Sequence, residues 1–102
     1  MGPFLVTKDV IEDPCNLNIK TELTGRIVQD TNTILKIFGS ATLISFVSQG
    51  TTLLPGTVIL TSTPAGVGWM RKPRLLMKKR DMVSVTIETF GSLKKPVMQL
   101  EV

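Results

Sequence analysis

The chain has 102 residues, 42% hydrophobic and 20% charged, with a formal net charge of +4. That length holds one modest core, and the balance is too apolar for a disordered tail yet too interrupted by charge for a membrane protein. One cysteine, Cys15, and no histidine exclude an internal disulfide, zinc sites of the usual type, and Ser/His or Cys/His catalysis within the chain.

No window approaches the roughly 20 apolar residues of a membrane helix, and Met1-Gly2-Pro3 opens no export signal, so a soluble globular protein is expected. Phe4 to Val10 reads as a short strand, ended by Ile11-Glu12-Asp13-Pro14, where proline pushes its predecessor out of helical space. Leu17, Ile19, Thr21 and Leu23 alternate with Asn18, Lys20 and Glu22, the period of a strand with one face on a core. Thr24-Gly25 reads as a two-residue hairpin loop, although asparagine suits its first position better, and Arg26 to Gln29 returns as the second arm.

Asp30-Thr31-Asn32-Thr33 is rich in capping and turn residues, and it precedes the apolar Ile34-Leu35-Lys36-Ile37-Phe38. Ala41, Leu43, Ile44, Phe46 and Val47 recur at helical spacing between Ser40, a candidate N-cap, and Gly50; the prediction is a helix of about ten residues. Leu54-Pro55-Gly56 is a turn, and the β-branched run Thr57 to Thr61 has the composition of a buried strand. Met82 to Glu88 alternates, turns at Phe90-Gly91-Ser92 and returns from Leu93 to Leu100. The sum, without repeats or low-complexity segments, is one mainly β domain with one short helix, of α+β class, over residues 1–102.

Thr61-Ser62-Thr63-Pro64-Ala65-Gly66-Val67-Gly68 combines hydroxyls with small residues that let backbone amides approach a carboxylate or phosphate. It lacks the Lys and Ser/Thr of a phosphate-binding loop and the helix of a dinucleotide fingerprint, so the pattern alone reads as a plain connecting loop before an anion site. Six of the 12 basic residues fall in Arg71 to Arg80. Without interleaved aromatics, and with Pro73 inside it, the run reads as a solvated loop before a nucleic-acid or membrane contact. Trp69 reads as a loop anchor. The eight acidic residues are scattered, none at a spacing that makes a metal site or an acid/base pair. Asp30 beside Asn32 comes nearest, and capping explains both.

Taken in order, Gly2-Pro3-Phe4-Leu5-Val6-Thr7-Lys8-Asp9, Pro14-x-Asn16-Leu17, Gln29-Asp30-x-Asn32-Thr33, Ile37-Phe38, Leu43-Ile44, Leu54-Pro55-Gly56, Thr63-Pro64-Ala65-Gly66-Val67-Gly68 and Arg71-Lys72-Pro73 resemble the C-terminal part of the fumarylacetoacetate hydrolase family. The resemblance implies part of a mixed β-sandwich roll that dimerises, and a Mg²⁺, Mn²⁺ or Ca²⁺ site of three carboxylates. Members hydrolyse, decarboxylate or isomerise 2-oxo acids and enols such as acylpyruvates and oxaloacetate-like compounds. The metal there chelates the oxo-carboxylate and polarises its carbonyl. The family's two Glu, one Asp and catalytic lysine precede the Gly-Pro that opens this chain. The resemblance therefore implies no catalytic residue and no metal ligand here, and an incomplete domain.

Thr63 matches a family threonine that hydrogen-bonds the substrate carboxylate, so Thr63, Pro64 and Gly66 form the expected substrate-binding set. Three turns depart from the family pattern: Ser62 replaces a glycine, Lys79-Arg80-Asp81 replaces Pro-Gly-Asp, and Thr24-Gly25 replaces Asn-Gly. An Arg80 held at positive φ would cost roughly 1 kcal/mol or more, and the departures read as relaxed constraint. The leading expectation is a truncated family domain, inactive alone. One half of a split enzyme and a non-catalytic binding or assembly module are the alternatives. Expected partners are a second copy of the chain and a small 2-oxo acid, with no membrane or nucleic acid, in the cytoplasm or alternatively the mitochondrion. Exposed strand edges and apolar faces are expected too.

Overall fold

The structure is a computed structural model that describes residues 1–101. Period-2 patterning yields strands at Asn18–Leu23 (β1), Arg26–Asn32 (β2), Met82–Ile87 (β3) and Gly91–Pro96 (β4). They form one antiparallel sheet in the order β2-β1-β3-β4. A helix at Ser40–Val47 (α1) and two short 3₁₀ turns, Thr33–Leu35 and Gly68–Met70, lie outside it. Mainly β with one short helix is thus the observed class, and the partial roll is represented by this single sheet.

Both expected hairpins form. Thr24 and Gly25 turn between β1 and β2 with φ of 50° and 81°, the doubly positive geometry that matches strand twist. Threonine is tolerated there because its hydroxyl is used: Thr24 Oγ1 donates to Asp81 Oδ1 at 3.0 Å and accepts from the Met82 amide at 3.2 Å. The Thr24 amide donates to the Met82 carbonyl at 2.7 Å. One turn therefore ties the first hairpin to the start of β3. Arg80 does sit at φ 76°, whereas Ser62 is not among the residues at positive φ.

Cross-strand pairing places Ile19, Thr21 and Leu23 on one face with Thr31, Gln29, Val85 and Val83. Ser84 faces the other way, paired with Glu22, and is buried. Among the described residues, the apolar ones buried most deeply are Ile11 and Leu17, each 8% exposed, both in the segment that precedes β1.

Several expectations are corrected. Phe4 to Val10 forms no strand: the chain turns, with the Val10 amide on the Thr7 carbonyl at 3.1 Å and Ile11 on Lys8 at 3.3 Å. Thr57 to Thr61 forms no strand either, and Leu60 is 93% exposed. Its β-branched composition favours extension, but a strand also needs a paired neighbour, and among the described residues no strand pairs with it. The turn at Leu54-Pro55-Gly56 does form, closed by the Thr57 amide on the Leu54 carbonyl at 3.1 Å.

α1 spans 8 residues with Gly39, not Ser40, at its N-cap. Ser40 Oγ instead accepts from the Lys36 ammonium at 3.2 Å. Asn32 does cap the first 3₁₀ turn, its Oδ1 accepting from the Ile34 amide at 2.8 Å. Asp30 does not cap; it is an exposed β2 residue opposite Lys20.

Candidate functional site

The site begins with an irregularity in β2. Thr21 pairs with Gln29 but Glu22 pairs with Ile27, so Val28 is an extra residue in the edge strand. Such bulges kink a strand locally and re-aim the groups beside them. The Val28 carbonyl accepts a hydrogen bond from Arg71 Nη2, and Arg71 Nε donates to the Gly66 carbonyl at 3.2 Å. Next to the bulge, Gln29 Nε2 donates to the carbonyls of Pro64 and Ala65, each at 3.3 Å. Two β2 residues and one arginine thereby clamp the Thr63–Gly68 loop onto the sheet.

Glycine is required twice in that loop. A Cβ on Gly66, which has φ +98°, would lie 2.7 Å from the Val28 oxygen. A Cβ on Gly68 would run into the Leu75 carbonyl, because the Leu75 amide bonds the Gly68 oxygen at 2.9 Å and draws the two backbones together. Trp69 is 58% exposed with the Arg74 guanidinium stacked 3.8 Å from its ring centroid. It packs on the basic run more than it anchors into a core.

Two open clefts flank the clamped loop. The first, about 370 Å³, has Gly66, Gly68 and Trp69 against Leu23, Val28 and Val83. The second, about 470 Å³, lies between Thr61–Ala65 and the Thr31–Phe38 segment. Of the expected substrate-binding residues, Thr63 and Pro64 share the second cleft, while Gly66 belongs to the first; Thr63 lies where the two meet. The structure thus unites two of the three and leaves Gly66 as a close-packing residue behind them.

Sequence reading did not single out Gln29 or Lys36. Gln29 was visible only as a motif letter, since a clamp on carbonyls 35 and 36 positions away leaves no local signal. Lys36 lines the second cleft and is half-buried.

Asn32 and Thr33 fix the cleft's other wall. Asn32 Nδ2 donates to Asn16 Oδ1 at 3.1 Å and Asn18 Oδ1 at 3.0 Å. Thr33 Oγ1 donates to the Pro14 carbonyl at 3.0 Å and accepts from the Leu17 amide at 2.8 Å. These side chains are consumed by structure.

Among the described residues, no three His, Cys, Asp or Glu side chains group as metal ligands. Both Asp81 oxygens already accept hydrogen bonds, from Thr24 and from the Lys78 amide at 2.7 Å. The residues present therefore do not fit a divalent cation, and what remains is a hydroxyl-rich cleft with one ammonium. Asp9, outside it and exposed, is held below the ordinary carboxylate range, first by the Thr7 side chain and then by its own backbone amide.

Sheet, clamped loop and short helix make an α+β fold, and comparison with known proteins gives it a family. The family model described as fumarylacetoacetate (FAA) hydrolase C-terminal matches residues 1–98, and the chain belongs to that family. It is 48% identical over 98 residues to the mitochondrial oxaloacetate tautomerase of Rattus norvegicus, covering 96% of this chain and 31% of that protein. The fumarylacetoacetate hydrolase of psychrophilic Exiguobacterium antarcticum superposes with TM-score 0.91 at 38% identity, over 95% of this chain and 35% of that one. Maleylpyruvate hydrolase from Sphingobium sp. SYK-6, in complex with manganese(II) and pyruvate, gives TM-score 0.88 at 29% identity, over 98% of this chain and 35% of that one. The chain spans 31 to 35% of the length of these relatives.

Proposed function

We propose that this chain forms the substrate-carboxylate wall of a family active centre for a small 2-oxo acid or its enol, of the oxaloacetate tautomerase kind. The carrying observation is the pair of 3.3 Å hydrogen bonds from Gln29 to the Pro64 and Ala65 carbonyls, which fix the two residues that follow Thr63, a residue lining both clefts. A hydroxyl residue that shares a cleft with a half-buried ammonium suits a carboxylate. The name of the rat relative and the pyruvate in the Sphingobium complex support the same substrate class.

In this reading the metal-holding carboxylates, and Mg or Mn with them, belong to residues outside the chain, so it has no turnover alone. No catalytic step is assigned to its own side chains. The decisive assay follows oxaloacetate tautomerisation spectroscopically with Mn²⁺ present. The 102-residue chain should leave the rate at its uncatalysed value. Adding the complementary N-terminal segment of a relative should raise it. Chelator-sensitive turnover by the chain alone would refute the reading.

A second reading, assembly with another polypeptide, is favoured by the apolar surface left open: Phe46 is 72% exposed, Phe38 60% and Leu60 93%. A second copy, or the complementary metal-bearing segment, would cover it. Sedimentation should find more than a monomer; a sharply melting monomer would remove this reading. Of the two compartments considered, the mitochondrion is favoured by the relative's mitochondrial designation.

A further inference from the structure

Among the described residues, Lys36 is the one charged side chain lining the second cleft, which Thr63 also lines. Its backbone amide donates a hydrogen bond to the Thr33 carbonyl at 3.1 Å, and its ammonium donates to Ser40 Oγ at 3.2 Å. Serine is neutral, so that contact orients the charge without balancing it. The ion pair among the described residues, Lys20 with Glu22 at 3.1 Å, lies elsewhere on the sheet. An ammonium has three N–H donors, and among the described residues only the Ser40 contact engages one. A half-buried cation with free donors and no carboxylate partner is a ready contact for an anion.

The surroundings narrow the ligand. Thr61, Ser62 and Thr63 offer hydroxyls on one wall, while Phe38 and Leu43 offer apolar surface near Lys36. At about 470 Å³ the cleft falls within the range of small-molecule sites and exceeds what one carboxylate fills. We propose that Lys36 receives the distal carboxylate of a dicarboxylic 2-oxo acid whose 2-oxo end is held on the Thr63 side. Lys36 is then a specificity-determining residue that separates dianionic from monoanionic 2-oxo acids. The inference rests on the Thr63 reading given above.

Titration of the ¹⁵N-labelled chain with 2-oxoglutarate and, separately, 2-oxobutyrate tests both levels. Both probes should shift the Thr63 and Ala65 amides, and the dianion should bind about tenfold more tightly, as one extra charge-assisted contact implies. Lys36→Met should erase that preference, and Lys36→Arg should keep most of it. Lys36→Gln provides the same comparison if the methionine variant loses its dispersed spectrum. Equal affinities in the native chain, or a preference that survives Lys36→Met, overturn the role of Lys36 while leaving the Thr63 reading intact. Absence of shifts at Thr63 and Ala65 with both probes overturns the Thr63 reading and this inference together.

Discussion

The sheet and the stretch from Ile37 to Thr61 are both rich in residues that favour burial, yet they end in different states. β1 and β3 are central strands, paired on both sides, and one threonine turn locks the first hairpin to the second. The Thr63–Gly68 loop joins this self-satisfied part through Gln29 and Arg71. From Ile37 to Thr61, by contrast, the same chemistry stays in solvent, with Ile37 91% exposed and α1 holding no buried residue. Apolar composition sets the demand for a partner, and only topology decides whether the chain itself supplies one.

Four substitutions sharpen or break this contrast, taken from the largest expected effect. Gly68→Ala forces a Cβ against the Leu75 carbonyl, part of the backbone, so it should destabilise the chain by about 3 kcal/mol. Urea unfolding reads the loss, and an unchanged midpoint would mean the loop is not packed as described. Gln29→Ala removes both carbonyl clamps and should lower stability by about 2 kcal/mol, with the Thr63 and Ala65 amides shifting most in the NMR spectrum. Arg80→Gly relieves a side chain at φ 76° and should raise stability by about 1 kcal/mol, visible as a higher melting temperature. Phe46→Glu, in the uncovered region, should change monomer stability by no more than about 0.5 kcal/mol. A loss of several times that size in the same denaturant assay would show that α1 is packed in solution and would end the contrast.

Much of the fold was legible because it rests on local rules. Both hairpins followed from alternation plus turn residues, α1 from three- and four-residue spacing, and the Pro55-Gly56 turn from its dipeptide. Asn32 as a cap was legible for the same reason, since its acceptor contact reaches only two residues ahead. Asp30 misled because capping and strand-edge positions both accept short polar residues, and the strand continued past it. The loop was recognisable as a motif containing Thr63, Pro64 and Gly66. Its division between two clefts was not, because that depends on the bulge at Val28. Thr24 and Arg80 looked alike as departures from the family pattern. Only the structure distinguishes them: Thr24 uses its hydroxyl in two long-range hydrogen bonds, while Arg80 sits at φ 76°.

What the sequence determined alone is the period of the paired strands and the turns, because each is written in residues within a few positions of one another, and the family, through short motifs spread along the chain. What only the tertiary structure decided is which apolar segments find a partner, and which polar groups meet across the chain. Gln29 reaches Pro64, Arg71 reaches Val28, and Lys36 shares a cleft with Thr63. Those pairings are set by a one-residue bulge and the sheet order, and long-range register leaves no trace in local spacing.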